Sequence, residues 1–205
     1  MSAWEGVTAR LARSAGLSMA ESRTARLSRA GTTFLSRRFD RDGDGYRVHF
    51  ASAMTMLGAA DGESGEHSYL DIADFLMRHG AAPREDLSEL WRRIVFSIAV
   101  SNTDDHLRNH GFLLAQDGWR LSPAYDINPN PASAGTLALC IDRDDATADF
   151  SVALRVAPQF RLSSAEADAI LARVREAVAS WRAAAAAAGI PARLIDETAP
   201  AFRIG

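Results

Sequence analysis

The stretch SNTDDHLRNHGFLL, residues 101–114, places two acids, two histidines and two asparagines close together before turning apolar. Several chemistries use such residues. His106 and His110 are four apart and on a helix would share one face, as zinc ligands do. The residue after the first histidine is Leu107 rather than the glutamate of a zinc protease, and a third ligand such as Asp104 or Asp126 would have to join them. Asp104 and Asn109 form Asp-x-x-x-x-Asn. In phosphoryl transfer an aspartate accepts the substrate's hydroxyl proton, and an asparagine five residues on binds Mg²⁺. That chemistry needs a second aspartate from a loop beyond a hairpin, and AYDIN supplies Asp126. The plain alternative is two capped turns whose Asp and Asn side chains bond their own backbone.

Other motifs carry less. DRDGDG puts Asp40, Asp42, Asp44 and Gly45 at the first positions of a calcium loop, but the glutamate due at the twelfth position is Ala51, so a turn is expected. There is no Gly-x-Ser-x-Gly elbow for an acyl-transfer serine. All 23 basic residues are arginine, so no mechanism can draw a catalytic lysine from within these 205 residues.

These side chains need elements to position them. AWEGVTARLARSAGL has helical spacing from Trp4 to Ala15 and closes on Gly16. ESRTARL and TTFLSRRF read as strands, and YRVHF, residues 46–50, alternates like a third, giving a small antiparallel meander. YLDIADFLMRHG predicts a helix ended by Gly80. PREDLSELWRRIVFSIAV predicts a second one, opened by Pro83 and buried from Trp91 onward. GFLLAQDGWRLS predicts a hairpin turning at Asp117-Gly118. One long helix is expected from Ser163 and Ser164 to Gly189, and a short one in PARLIDETAPAF.

The composition is that of an ordinary globular protein, and the net charge of -3 gives no footprint for nucleic acid or anionic membrane. No apolar run approaches the ~20 residues of a membrane span, and MSAWEGVTAR does not read as a signal peptide. A lone Cys140 fits a reducing cytoplasm.

NTDDHLRNHGFLL together with GWRLSPAYDINP resembles the catalytic core of HipA-type serine/threonine kinases, the toxins of bacterial toxin–antitoxin modules. FLSRRFDR and YRVHF are similar to that family's hinge strand and following hairpin. WEGVTARLARSAGLSMAES is similar to its glutamate-bearing helix, and the helical tail with EAVASW also fits. The resemblance implies an α+β, protein-kinase-like fold, with a partial N-lobe over 1–58 and a helical C-lobe over 59–205. It implies Mg²⁺- and ATP-dependent phosphorylation of a protein Ser or Thr. Asp104 would be the base, Asn109 and Asp126 the metal ligands, and Glu5 the helix glutamate. His106 and Asp105 would orient Asp104. Backbone near Arg37 and Phe39 would face adenine, and Arg108 a phosphate. The implied partners are a substrate protein and an antitoxin, with no direct nucleic-acid contact by this chain. Family members carry a Gly-rich loop and an ATP-binding lysine before the helix, and this sequence has neither. A separately encoded N-lobe could supply them; otherwise the chain is a kinase-like module that binds partners without turnover.

Overall fold

The computed structural model describes residues 2–28, 31–133 and 135–204. In chain order its elements are α1 (Ser2–Ser14), β1 (Ser22–Ser28), β2 (Gly31–Ser36), β3 (Phe50–Ser52), α2 (Ala53–Leu57), α3 (Tyr69–His79), α4 (Pro83–Ala99), β4 (Gly111–Ala115), β5 (Gly118–Leu121), α5 (Phe150–Val156), α6 (Ser164–Ala179), α7 (Trp181–Ala187) and α8 (Ala192–Thr198).

Helix α4 is the structural centre. Pro83 opens it, Glu85 and Asp86 favour its positive end, and from Leu90 to Ala99 only Arg92 is not fully buried. Trp91 is enclosed and donates its indole N–H to the Ala153 carbonyl at 2.9 Å. Helices α3, α5 and α6 pack around α4, which fixes its C-terminal end and hence the start of the polar loop that follows.

Helix α1 buries Val7, Leu11 and Ala12 and closes as the sequence predicts. The Leu17 N–H bonds the Ala12 carbonyl and the Gly16 N–H bonds Arg13, with Gly16 at φ +89°. Trp4 meets Trp181 and Phe202, which stack at 4.1 Å, so the start of α1 is clamped to the C-terminal segment. Gly6 lets β1 cross α1 closely: a Cβ there would lie 2.5 Å from Thr24 Cγ2.

The three-stranded meander expected in residues 1–50 does not form. β1 and β2 make a separate two-stranded ribbon, and the third strand is Phe50–Ser52, which pairs with Gly111–Leu113 in a β3-β4-β5 sheet. Residues 46–49 are held out of a strand by local chemistry. The Asp42 carboxylate accepts from the Asp44 and Tyr46 N–H groups, and only a single Arg41–Arg47 bridge follows. The β4–β5 hairpin pairs Ala115 with Gly118, so its turn residues are Gln116 and Asp117, one position earlier than predicted. The expected long helix begins with the Ser163–Glu166 capping box but breaks at Ser180, whose hydroxyl bonds the Ala177 carbonyl.

Candidate active site

Two loops meet beyond the end of α4. In the first, the Asn102 N–H bonds the Ser97 carbonyl, and Ser101 takes a left-handed φ of +49°. In the second, Asp126 sits at φ +57°. Such backbone costs about 1–3 kcal/mol per residue and persists where the surroundings dictate it. Here they do: the Asn102 side-chain oxygen accepts the Asn128 N–H at 3.1 Å. Asn130 donates its amide to Thr103 at 2.7 Å and its N–H to the Ser101 carbonyl.

Asn109 and Asp126, seventeen residues apart, meet at the junction. The Asn109 amide lies 3.3 Å from Asp126 Oδ2, and Asn128 donates to Asp126 Oδ1 at 3.1 Å. One carboxylate and one amide brought together this way are hard oxygen donors that suit Mg²⁺. Helix α1 is tied to the same loop, because Thr8 donates its hydroxyl to the Ile127 carbonyl at 2.6 Å. Asp104 is exposed on the first loop, with its carbonyl accepting the His106 N–H.

Asp105 does not turn toward Asp104. It is buried and accepts from the Tyr69 hydroxyl at 2.6 Å and the Ser97 hydroxyl at 3.1 Å. His110 Nε2 lies 3.1 Å from its other oxygen, an ion-pair distance off the line of a hydrogen bond. Burial pushes the Asp105 carboxyl up, but His110 and the two hydroxyls together outweigh it and hold it below its ordinary value. Asp105 therefore anchors the loop to α3 and α4, and His106 touches Asp104 only through the backbone. Burial, with Asp105 adding to it, raises the Tyr69 phenol well above its ordinary value and keeps it a neutral donor.

A cleft of about 450 Å³ opens beside this junction, between α1, the β1–β2 ribbon and the Asp126 loop. Glu5 and Asp126 line its polar side; Phe34, Phe39, Phe50 and Tyr125 line the other. Phe39 packs on Tyr125 at 5.5 Å and on Phe50 at 5.8 Å, and the Tyr125 hydroxyl donates to the Arg108 carbonyl at 2.6 Å. Burial pushes the Tyr125 phenol up to about 12, so it too stays protonated. Arg37 lines the cleft while its guanidinium pairs with Glu21 at 3.0 Å. The Arg108 guanidinium points to Asp61 at 2.8 Å, outside the cleft lining.

Burial, then the nearby Asp126 charge, raises the Glu5 carboxyl above its ordinary value. A raised carboxyl in the folded state gives stability that is complete below the unfolded value near 4.3 and is lost as pH rises through the folded one. In metal-free buffer Glu5→Gln is therefore expected to raise the melting temperature at pH 7 and leave it unchanged near pH 4. Thermal unfolding at the two pH values checks this.

The zinc reading does not survive. His106 and His110 flank a three-residue 3₁₀ turn, Leu107–Asn109, rather than sharing an α-helical face, and no group of three His, Cys, Asp or Glu gathers among the described residues. Asp42 spends its carboxylate on its own turn, as expected for a hairpin rather than a calcium loop. Tyr69, Ser97 and Tyr125 are site residues that the sequence reading missed. A tyrosine opening an amphipathic helix was the one available signal for Tyr69.

The fold and the paired loops define a protein-kinase-like architecture. Over 97% of this chain it superposes on 52% of a HipA chain, at TM-score 0.72 and 19% identity, from a Shewanella oneidensis MR-1 toxin–antitoxin complex of HipA, HipB and operator DNA. The Helicobacter pylori proinflammatory kinase CtkA matches at TM-score 0.56 and 14% identity, over 92% of this chain and 87% of that one. The HipA-like C-terminal domain model matches residues 1–182, and the chain belongs to that family. A Haemophilus influenzae protein named "Putative kinase" is 30% identical over 109 residues, 48% of this chain and 32% of the relative. "Putative kinase Y4mE" of Sinorhizobium fredii is 31% identical over 134 residues, 60% and 31% respectively. The matched segments thus span about a third of the curated relatives, and this chain about half of the Shewanella one.

Proposed function

We propose that this chain is the catalytic portion of a HipA-like serine/threonine protein kinase, the toxin of a toxin–antitoxin pair. In this reading it binds Mg²⁺ and ATP in the cleft and transfers a phosphoryl group to a protein hydroxyl. The observation that carries the reading is the meeting of Asn109 with Asp126, which lines the same cleft as Glu5. Bound Mg²⁺ would be held by these two side chains and would neutralise charge on the phosphates. The aromatic wall of Phe39, Phe50 and Tyr125 suits a flat base, with backbone near Arg37 and Phe39 offering it polar groups. Asp104, exposed at the loop's rim, takes the proton of the incoming Ser or Thr hydroxyl. Arg108 reaches a phosphate only after leaving Asp61.

Glu5 meets no cation among the described residues, and the sequence contains no lysine. In this reading a separately encoded N-lobe would supply the cation that faces it. The same observation favours the second reading, a kinase-like module that binds nucleotide or partner without turnover. The HipB antitoxin of the Shewanella complex supports an antitoxin partner here, and Cys140, buried and unpaired, suits a cytoplasmic setting. Among the described residues no helix is long and apolar enough to cross a membrane.

The test is transfer of labelled γ-phosphate from Mg-ATP to a Ser/Thr-containing protein, on the chain alone and with candidate N-lobe polypeptides. Asp104→Asn is expected to lower the rate by about 10²–10⁴-fold without weakening nucleotide binding, as removal of a general base does. Equal rates for the two proteins would remove Asp104 from the chemistry. Nucleotide binding with no transfer under any condition would favour the second reading.

A further inference from the structure

A second pocket of about 310 Å³ adjoins the cleft along α1, between that helix, the β1–β2 ribbon and the end of α7. Its polar lining is Arg10, Arg13, Arg23, Ser22, Thr24 and Thr32, with no carboxylate among them. None of the three arginines forms an ion pair among the described residues, whereas most arginines of α4 and the later segments near an acid do. The concentration of charge is local: residues 1–36 hold five arginines against two glutamates, in a chain whose net charge is -3.

The arginines are partly held in place. Arg10 donates through Nη2 to the Ala184 carbonyl of α7, and Arg13 through Nη2 to the Ala20 carbonyl and the Ser22 hydroxyl. Each keeps its other N–H donors, and the Arg23 guanidinium has no hydrogen-bond partner among the described residues. Capping of α7 accounts for Arg10 alone. It does not account for three exposed arginines lining one cavity that no carboxylate lines, a setting that favours an anion. Guanidinium forks ringed by hydroxyls match the oxygens of a phosphoryl dianion, and the pocket's size suits one such group with its carrier.

We propose that this pocket binds a phosphoryl group, and that it is a regulatory site coupled to the neighbouring cleft. The two cavities share Ser22 and Phe34, and α1 carries Glu5 into one and Arg10 and Arg13 into the other. An occupant therefore bears on the helix and ribbon that shape the nucleotide site. The ligand chemistry has two sources, free phosphate or a phosphorylated side chain, the latter being the product class of the activity proposed above. The binding itself does not depend on that activity.

The experiment is a titration of the ¹⁵N-labelled chain with inorganic phosphate and, separately, with a phosphoserine peptide, following the arginine Nε–H signals. Arg10, Arg13 and Arg23 are expected to shift together and saturate at millimolar ligand. Arg23→Gln should weaken the binding about tenfold, the weight of one charge-assisted hydrogen bond. Asp126→Ala, folded and tested in parallel, should leave it unchanged. Tighter binding of the peptide assigns the site to a phosphorylated side chain, and equal binding assigns it to free phosphate. Shifts that fail to saturate, that survive both Arg23→Gln and Arg10→Gln, or that vanish in Asp126→Ala overturn the proposal. Nucleotide affinity, read in a separate titration, separates its failure from failure of the kinase reading.

Discussion

Asp105→Ala is expected to destabilise the fold by about 3–5 kcal/mol, the cost of removing one partner from a buried charged network. The carboxylate accepts from Tyr69 and Ser97 and faces His110, and all four side chains are nearly or fully buried. Without it two hydroxyls lose their acceptor in a place water does not readily reach, and His110 loses its carboxylate neighbour. The loss is structural at first but reaches function, because Asp105 joins α3 and α4 to the loop that carries Asp104 and Asn109. Asp105→Asn retains an acceptor for one hydroxyl and should cost clearly less. Denaturant unfolding of the three proteins checks the order, and an Asp105→Ala cost below about 1 kcal/mol, the scale of a surface pair, would mean the network does not hold the loop.

Asp126→Ala should abolish the Mg²⁺-dependent part of nucleotide binding, an effect of about 100-fold or more when the main anionic ligand of a metal site is removed. Stability should change little. Alanine inherits the φ of +57°, so that strain stays, and the hydrogen bonds lost with the carboxylate are those from Asn109 at 3.3 Å and Asn128 at 3.1 Å. Its charge also raises the Glu5 carboxyl, and that repulsion disappears with it. Metal-free nucleotide should bind both proteins alike through the aromatic wall. Titration with and without Mg²⁺ separates the two contributions, and a variant that keeps its Mg²⁺ dependence would place the metal elsewhere.

Much of this was legible in the sequence wherever the signal is local. Gly80, Pro83 and the apolar run from Trp91 set α3 and α4, and Gly16 ended α1, because caps and periodicity act within a few residues. The meeting of Asn109 and Asp126 was anticipated from the two motifs that carry them. What failed was long-range or competitive. The 46–50 strand lost to an Asp42 turn, and the true strand pairs with residues 111–113, some sixty positions on. The break at Ser180 hid inside alanine-rich sequence whose propensity favours continuous helix. Asp105 looked like an aid to its neighbour Asp104, whereas its shortest hydrogen bond comes from Tyr69, 36 residues earlier. The pairing of Arg108 with Asp61 likewise had no local sign.

The central claim is that the Asn109–Asp126 junction and the adjoining cleft form one nucleotide–metal site. It is tested most directly by calorimetric titration of Mg-ATP into the purified chain. Saturable binding is expected, weakened on chelation of Mg²⁺ and weakened to the same extent in Asp126→Ala. Absence of any heat at millimolar Mg-ATP, or binding indifferent to both the metal and Asp126, would contradict it.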